Sequence, residues 1–141
     1  MLATRSEIIN YIPQRAPFIA VHNILEATDG FAETQFEVLP DSIFVTEGLF
    51  RESGLLENIA QTAAAQIGFV RKKRGLPVPS GYIASIKNLN VVSFPPIGSV
   101  LTTSIQITNH VLSVVLLEGL IRLQGDVVCQ CEMRIFVGDN E

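Results

Sequence analysis

The sequence predicts an α+β fold in which an antiparallel sheet of about six strands wraps around one long central helix. Three observations carry this expectation. Residues 53–74 have the character of a helix, with almost no charge as far as Val70. Four long runs rich in β-branched residues follow that stretch and two shorter ones precede it, with turn formers between them. The length of 141 residues is enough for one domain with a real core, so residues 1–141 are expected to form a single domain.

Residues 6–12 read as a short helix, stopped by Pro13, which lacks the amide that the next turn needs. The run "FIAVHNILEAT" at 18–28 follows as a strand, and Asp29-Gly30 is a two-residue hairpin signal. In "FAETQFEVL" at 31–39, apolar and polar residues alternate, as a return strand requires, and Pro40 closes it. Residues 41–52, "DSIFVTEGLFRE", read as a loop with exposed aromatics. Ser53 is placed to cap the long helix. At 100° per residue, Leu55, Leu56, Ile59, Ala60, Ala63, Ile67 and Val70 form one broad apolar face. Glu57, Gln61, Ala64 and Gly68 form a neighbouring stripe, and Asn58, Thr62, Ala65 and Phe69 a third face that is barely polar. A helix so free of charge on every side is expected to be buried all round.

Residues 75–81, "GLPVPSG", form a linker, with Gly75 suited to end the helix. Strands are expected over 82–94, 99–111, 113–124 and 126–137, with turns near Asn109-His110 and at Gln124-Gly125. A sheet of this kind leaves an edge strand and part of the helix open. Dimerisation by edge pairing is therefore expected, as a homodimer or higher homo-oligomer.

Hydrophobic residues make up 48% of the chain and charged residues 17%. No stretch approaches the roughly 20 apolar residues that span a bilayer, so no membrane span is expected. The apolar excess instead points to an oligomer interface or an acyl-sized pocket. The N-terminus, "MLATRSEIINYIPQR", has no apolar core before a small-residue cleavage site, so no signal peptide is expected and the location is cytoplasmic by default. A net charge of −4 argues against nucleic-acid binding. Arg71, Lys72, Lys73 and Arg74 are the exception. Cations at a helix C-terminus complement its dipole, and the same cluster could meet an acidic partner. Cys129 and Cys131 stand two apart in a strand and point to one face, as core cysteines do. They supply only two of the four or so ligands of a structural zinc site, and no metal or cofactor is expected.

From Ser53 to Val70 the only ionisable side chain is Glu57. A helix-dipole role would return about 0.3–1 kcal/mol. Burying an unpaired carboxylate costs several, so a structural role alone does not account for it. Glu57 therefore reads as a functional carboxylate.

Three longer stretches carry a family resemblance: "YIPQRAPFIAVHNIL", "GLFRESGLLENIAQTAAA" and "VVSFPPIGSVLTTSI". In order and spacing they resemble the β-hydroxyacyl-(acyl carrier protein) dehydratases of fatty-acid and polyketide synthesis. The resemblance implies the hotdog fold and a tunnel at a dimer interface. There a base removes the α-proton of a 3-hydroxyacyl thioester and an acid releases the β-hydroxyl as water. Glu57 stands where the family has its helix acid, and Gln61 matches its glutamine one turn later. Gly54 or Leu55 would supply the amide that polarises the thioester carbonyl. The family's loop histidine is Leu49 here, its following proline is Arg51, and its other histidine is Gln14. Only His22 and His110 remain, at positions matching no catalytic one. Leu49, Phe50, Gln14, Pro17 and Phe18 would line the tunnel or its loop. In this degenerate form the chain is most similar to the divergent hotdog proteins of aryl polyene and flexirubin pigment clusters.

That similarity implies an acyl carrier protein carrying a 3-hydroxyacyl chain as partner, with Arg51 and Arg71 to Arg74 as docking candidates. Three readings follow. Glu57 does most of the acid–base work of a dehydratase. Alternatively, the chain binds acyl groups without catalysis, or pairs as a heterodimer with another hotdog subunit that is active. In the third, Glu57 and Gln61 serve a thioesterase, activating water or attacking the thioester.

Overall fold

A computed structural model describes residues 1–138 of the chain. Residues 139–141, the end of the expected domain, lie outside the described residues. After a single 3-10 turn at Ile8–Asn10 come strands β1 (Asn23–Ala27) and β2 (Phe31–Glu37). A two-residue hairpin, β3 (Val45–Thr46) and β4 (Leu49–Phe50), leads into helix α1 (Glu52–Lys73). Strands β5 (Gly81–Val91), β6 (Val100–Val111), β7 (Val114–Leu123) and β8 (Asp126–Val137) complete the chain. The main sheet is antiparallel, with order β1-β2-β6-β7-β8-β5, and α1 packs across all six of its strands. One long helix against six antiparallel strands is the expected architecture.

Its details differ from the sequence reading at five places. In place of the short helix expected over 6–12 there is only the 3-10 turn Ile8–Asn10. The first strand begins only at Asn23, because residues 18–22 run across the N-terminal part of α1 and hydrogen-bond to its side chains. The loop before the helix contains β3 and β4. The β6–β7 turn lies at Leu112-Ser113, beyond Asn109-His110, which belong to β6. Ser53 lies inside α1. Arg51 is the N-cap, with extended backbone and no side-chain cap bond. Its amide donates to Phe44 O at 3.0 Å, so the preceding hairpin aims the helix.

Leu55, Ile59 and Ala63 are fully buried on the sheet, among Phe36, Phe50, Leu101, Ile105 and Ile121. The close approach of α1 to β7 needs Gly119, where an added Cβ would stand 2.5 Å from Ile59 Cγ2. Cys129 and Cys131 are both buried, as their spacing predicts, and burial pushes their thiols up to about 11 and about 12. Thiols held that high are protonated core groups at neutral pH.

The helix is not buried all round. Leu56, Glu57, Ala60, Ala64, Ile67 and Val70 form a half-buried stripe, while the polar Asn58, Gln61, Thr62 and Gln66 are buried. Charge-free sequence could not reveal this arrangement, because the buried polar groups find partners in segments distant in sequence. Asn58 Nδ2 donates to Ala20 O at 2.8 Å and Asn58 Oδ1 accepts from Thr103 Oγ1. The Thr34 and Thr62 hydroxyls bond at 2.7 Å. Satisfied in this way, Asn58 and Thr62 escape the penalty of about 1–3 kcal/mol for a buried orphan.

Candidate functional site

The half-buried stripe of α1 forms one wall of a groove of about 430 Å³. Glu57, Ala60, Ala64 and Ile67 face it from the helix, and Ser80 to Ile83 close it from the β5 end. Gln14, Phe18 and Phe44 stand over the Glu57 end, and Ile135 and Val137 form the floor. Glu57 is the only carboxylate among its lining residues.

Glu57 is held by Gln61. Gln61 Nε2 donates to Glu57 Oε2 at 2.9 Å and to Phe18 O at 2.8 Å, while Gln61 Oε1 accepts from Ala20 N at 2.6 Å. All three bonds orient one buried amide. The i, i+4 spacing on α1 brings the two side chains together, and the chain segment at 18–20 fixes which way the amide points. Glu57 Oε1 has no hydrogen bond to the described residues, so it is free to meet a ligand. Among those residues no histidine hydrogen-bonds Glu57.

The other sequence candidates are distributed as follows. Gln14 and Phe18 line the groove with Glu57, and Gln14 Oε1 is buried there without a partner. Pro17 lines a separate cavity beside His22. Leu49 pairs with Thr46 and bridges to Pro96, and Phe50 is fully buried against Phe36 and Phe44; neither lines the groove. Of the two amide candidates, Leu55 N already donates to Arg51 O at 3.1 Å, within the first turn of the helix. Gly54 packs under the Phe50 and Phe44 side chains.

Among the basic candidates, Arg51 turns back on its own hairpin, donating to Thr46 O at 3.0 Å and lying over the Phe94 ring. Arg74 pairs with Asp29 at 3.3 Å. Lys72 and Lys73 are exposed, their ammonium groups over the rings of Tyr11 and Phe69. Arg71 is half-buried in a second cavity.

His22 is buried beside Phe36, with ring centroids 4.5 Å apart, and its Nδ1 accepts from Glu37 N at 3.1 Å. Burial, aided by the charge of Arg5, lowers its pKa to about 4. The ring is therefore neutral and structural at neutral pH. Folding depresses this pKa from 6.5, so as pH falls the unfolded chain takes up the proton first. Stability held above pH 6.5 is lost progressively down to about pH 4, by about 3 kcal/mol for this group. In urea unfolding at pH 7 and pH 4, a His22→Phe variant is expected to lose about 3 kcal/mol less than the parent chain across that interval. Equal losses would mean that His22 is not a buried neutral group. His110 is exposed on β6 and lines the second cavity, not the Glu57 groove.

The fold is shared with solved structures, three among them. The dehydratase heterocomplex ApeI:P from Xenorhabdus doucetiae superposes with a TM-score of 0.82 at 19% identity, covering 94% of this chain and 91% of that one. An uncharacterised protein from Pyrococcus horikoshii gives 0.69 at 15%, with 94% of each chain covered. A hypothetical thioesterase protein with coenzyme A from Streptococcus pneumoniae gives 0.66 at 17%, covering 84% of this chain and 87% of that one. At such identities the likeness shows the hotdog fold alone. No curated protein sequence matches the chain. A family model described as ApeP dehydratase matches residues 6–141, nearly the whole length. The chain belongs to the ApeP-like dehydratase family.

Proposed function

We propose that this protein removes water from 3-hydroxyacyl chains carried as thioesters on an acyl carrier protein, with Glu57 as the group that moves the proton. The observation that carries this is the lone carboxylate of an apolar groove, held at one oxygen by Gln61 and open at the other. A single carboxylate can take the α-proton and return it to the departing β-hydroxyl. The carbon–oxygen bond breaks, the double bond forms between the α- and β-carbons, and water leaves with no net change on the enzyme. The apolar walls at Ala60, Ala64 and Ile67 suit an alkyl or alkenyl chain.

A second hotdog subunit completes this reading. Strand β5 is an edge of the sheet, 11 residues long, and its start forms one side of the groove. Tyr82 there is 65% exposed and stacked on Phe136. Pairing along this edge would cover the groove and satisfy the open backbone groups. The heterocomplex among the similar structures supports a partner of the same fold, and that partner could bring the histidine this chain lacks. Of the cations at the end of α1, Lys72 and Lys73 are exposed and could meet an acidic carrier protein, and Arg15 is exposed at the groove itself.

The test is to incubate a 3-hydroxyacyl-carrier protein with the chain alone and with a histidine-bearing hotdog partner, following the intact mass of the carrier. Loss of one water supports the proposal, and dependence on the second chain supports the heterodimer. Release of the free acid would make the protein a thioesterase instead, and an unchanged mass in both mixtures would refute the dehydratase reading.

A further inference from the structure

The β6–β7 hairpin closes on a two-residue turn, Leu112-Ser113. Leu112 there has a φ of 54° and is 93% exposed. Folding does not account for a leucine at that place. The left-handed region suits glycine and asparagine, not a leucine, and a side chain so exposed returns nothing by burial. Val111 beside it is 52% exposed, and Leu76, just past α1, is 47% exposed.

This apolar tip stands next to the basic end of α1. Leu112 and Leu76 line the second cavity together with Arg71 and Arg74, and Lys72 and Lys73 belong to the same end of the helix. Asp29 is the only acid lining that cavity, and it pairs with Arg74 at 3.3 Å. Among the described residues Lys72 and Lys73 have no ion-pair partner. The whole chain carries a net charge of −4, so this end is positive against the trend of the molecule.

We propose that this end of the molecule docks on an anionic membrane surface, with Leu112 and Val111 entering the headgroup region and Lys72 and Lys73 meeting lipid phosphates. Apolar side chains at a tip and cations around it match a surface that is apolar beneath a layer of negative charge. Each cation near such a surface contributes, and the apolar tip adds the part that salt does not screen. An acidic carrier protein fits this end less well. It must deliver a thioester to Glu57, and Lys72 lies fifteen residues further along α1, roughly 22 Å at 1.5 Å per residue. The exposed cation at the groove is Arg15. The proposal is independent of the chemistry at Glu57.

The probes are two sets of vesicles, one of phosphatidylcholine alone and one mixing it with phosphatidylglycerol, sedimented with the full chain. The chain is expected to bind the anionic set at least about tenfold more tightly, and less so as salt is raised. Lys72→Gln combined with Lys73→Gln is expected to weaken binding about thirtyfold, at about fivefold per cation. Leu112→Asn is expected to weaken it about tenfold while leaving the melting temperature unchanged or higher, because asparagine suits the left-handed turn. A structural role for Leu112 would instead lower the melting temperature. The chain has no tryptophan, so Leu112→Trp supplies a lone fluorophore at the tip. Its emission is expected to shift to the blue with anionic vesicles and to be quenched by lipids brominated on their acyl chains.

No binding to the anionic vesicles would overturn the proposal. Binding that Leu112→Asn leaves unchanged would also overturn it, as would a Leu112→Trp emission that vesicles do not move. Capture of an acyl carrier protein through Lys72 and Lys73, without vesicle binding, would assign this surface to the carrier instead.

Discussion

Replacing Glu57 with glutamine is expected to lower the rate of water loss from a 3-hydroxyacyl thioester by at least about two orders of magnitude while leaving the fold intact. Glutamine keeps the size and a polar oxygen, so the apolar groove walls at Ala60 and Ala64 have no reason to move. It removes the group that can take a proton at neutral pH. The Gln61 amide is anchored independently of Glu57, by Phe18 O and Ala20 N, so the neighbouring backbone keeps its position in the variant. Thermal unfolding within a few degrees of the parent chain, with activity lost, is the expected pair of results. A Glu57→Gln protein that dehydrates at the parent rate, alone and with a partner subunit, would eliminate Glu57 as the proton carrier. The assay must include the partner, since a residue active only in an assembly gives no signal in isolation.

Gly68→Ala is expected to be the most damaging single methyl addition in the chain. A Cβ at Gly68 would lie 1.8 Å from Tyr11 O, a backbone atom that cannot swing aside. The helix and the N-terminal segment must separate to admit it. Overpacking of this kind costs about 1–3 kcal/mol, and a backbone clash belongs at the upper end or beyond. A loss of about 3 kcal/mol corresponds to roughly a 10 °C fall in the melting temperature of a chain this size. The same segment leads to Gln14 and Phe18, which roof the Glu57 end of the groove, so substrate affinity should fall with stability. A variant melting within about 2 °C of the parent would show that the N-terminal segment does not pack on α1 as described.

Much of the fold was legible because its signals are local. Alternation in residues 31–37, β-branched residues in the last four strands, and the Asp29-Gly30 turn each follow from neighbours in sequence. So did the place of the two cysteines, since period-two geometry puts Cys129 and Cys131 on one face. The candidate site was legible only in part. Glu57 stood out because it is the one ionisable group from Ser53 to Val70, a property of composition. The link to Gln61 could be read from the i, i+4 spacing. Its anchoring to Phe18 and Ala20 could not, because those residues lie 43 and 41 positions away. Nor did the sequence distinguish Phe50, a core ring, from Phe18, a groove residue 56% exposed. Both are phenylalanines beside a proline-bearing or glycine-bearing loop.

The largest departure concerns the helix faces. Sequence periodicity assigned Leu56, Ala60, Ile67 and Val70 to the core and left Asn58 and Thr62 on a residual face. In the structure the polar pair is buried, while Ala60, Ile67 and Val70 border the groove or the second cavity and Leu56 packs half-buried at the edge of the core. Hydrophobicity alone decides which face is buried only when the alternatives differ in charge, and here they hardly do. Hydrogen-bond partners supplied by Ala20, Thr34 and Thr103 tipped the balance, and they come from three separate strands or segments.

The sequence by itself determined the element order, the antiparallel class, and the helical stretch 53–70 with Glu57 as its single charged group. These depend on propensity, periodicity and composition, which act over a few residues. Only the tertiary structure decided which helix face meets the sheet and which amide holds Glu57. Those depend on which distant donors and acceptors come within about 3 Å of one another, and that is fixed only when the whole sheet closes over the helix.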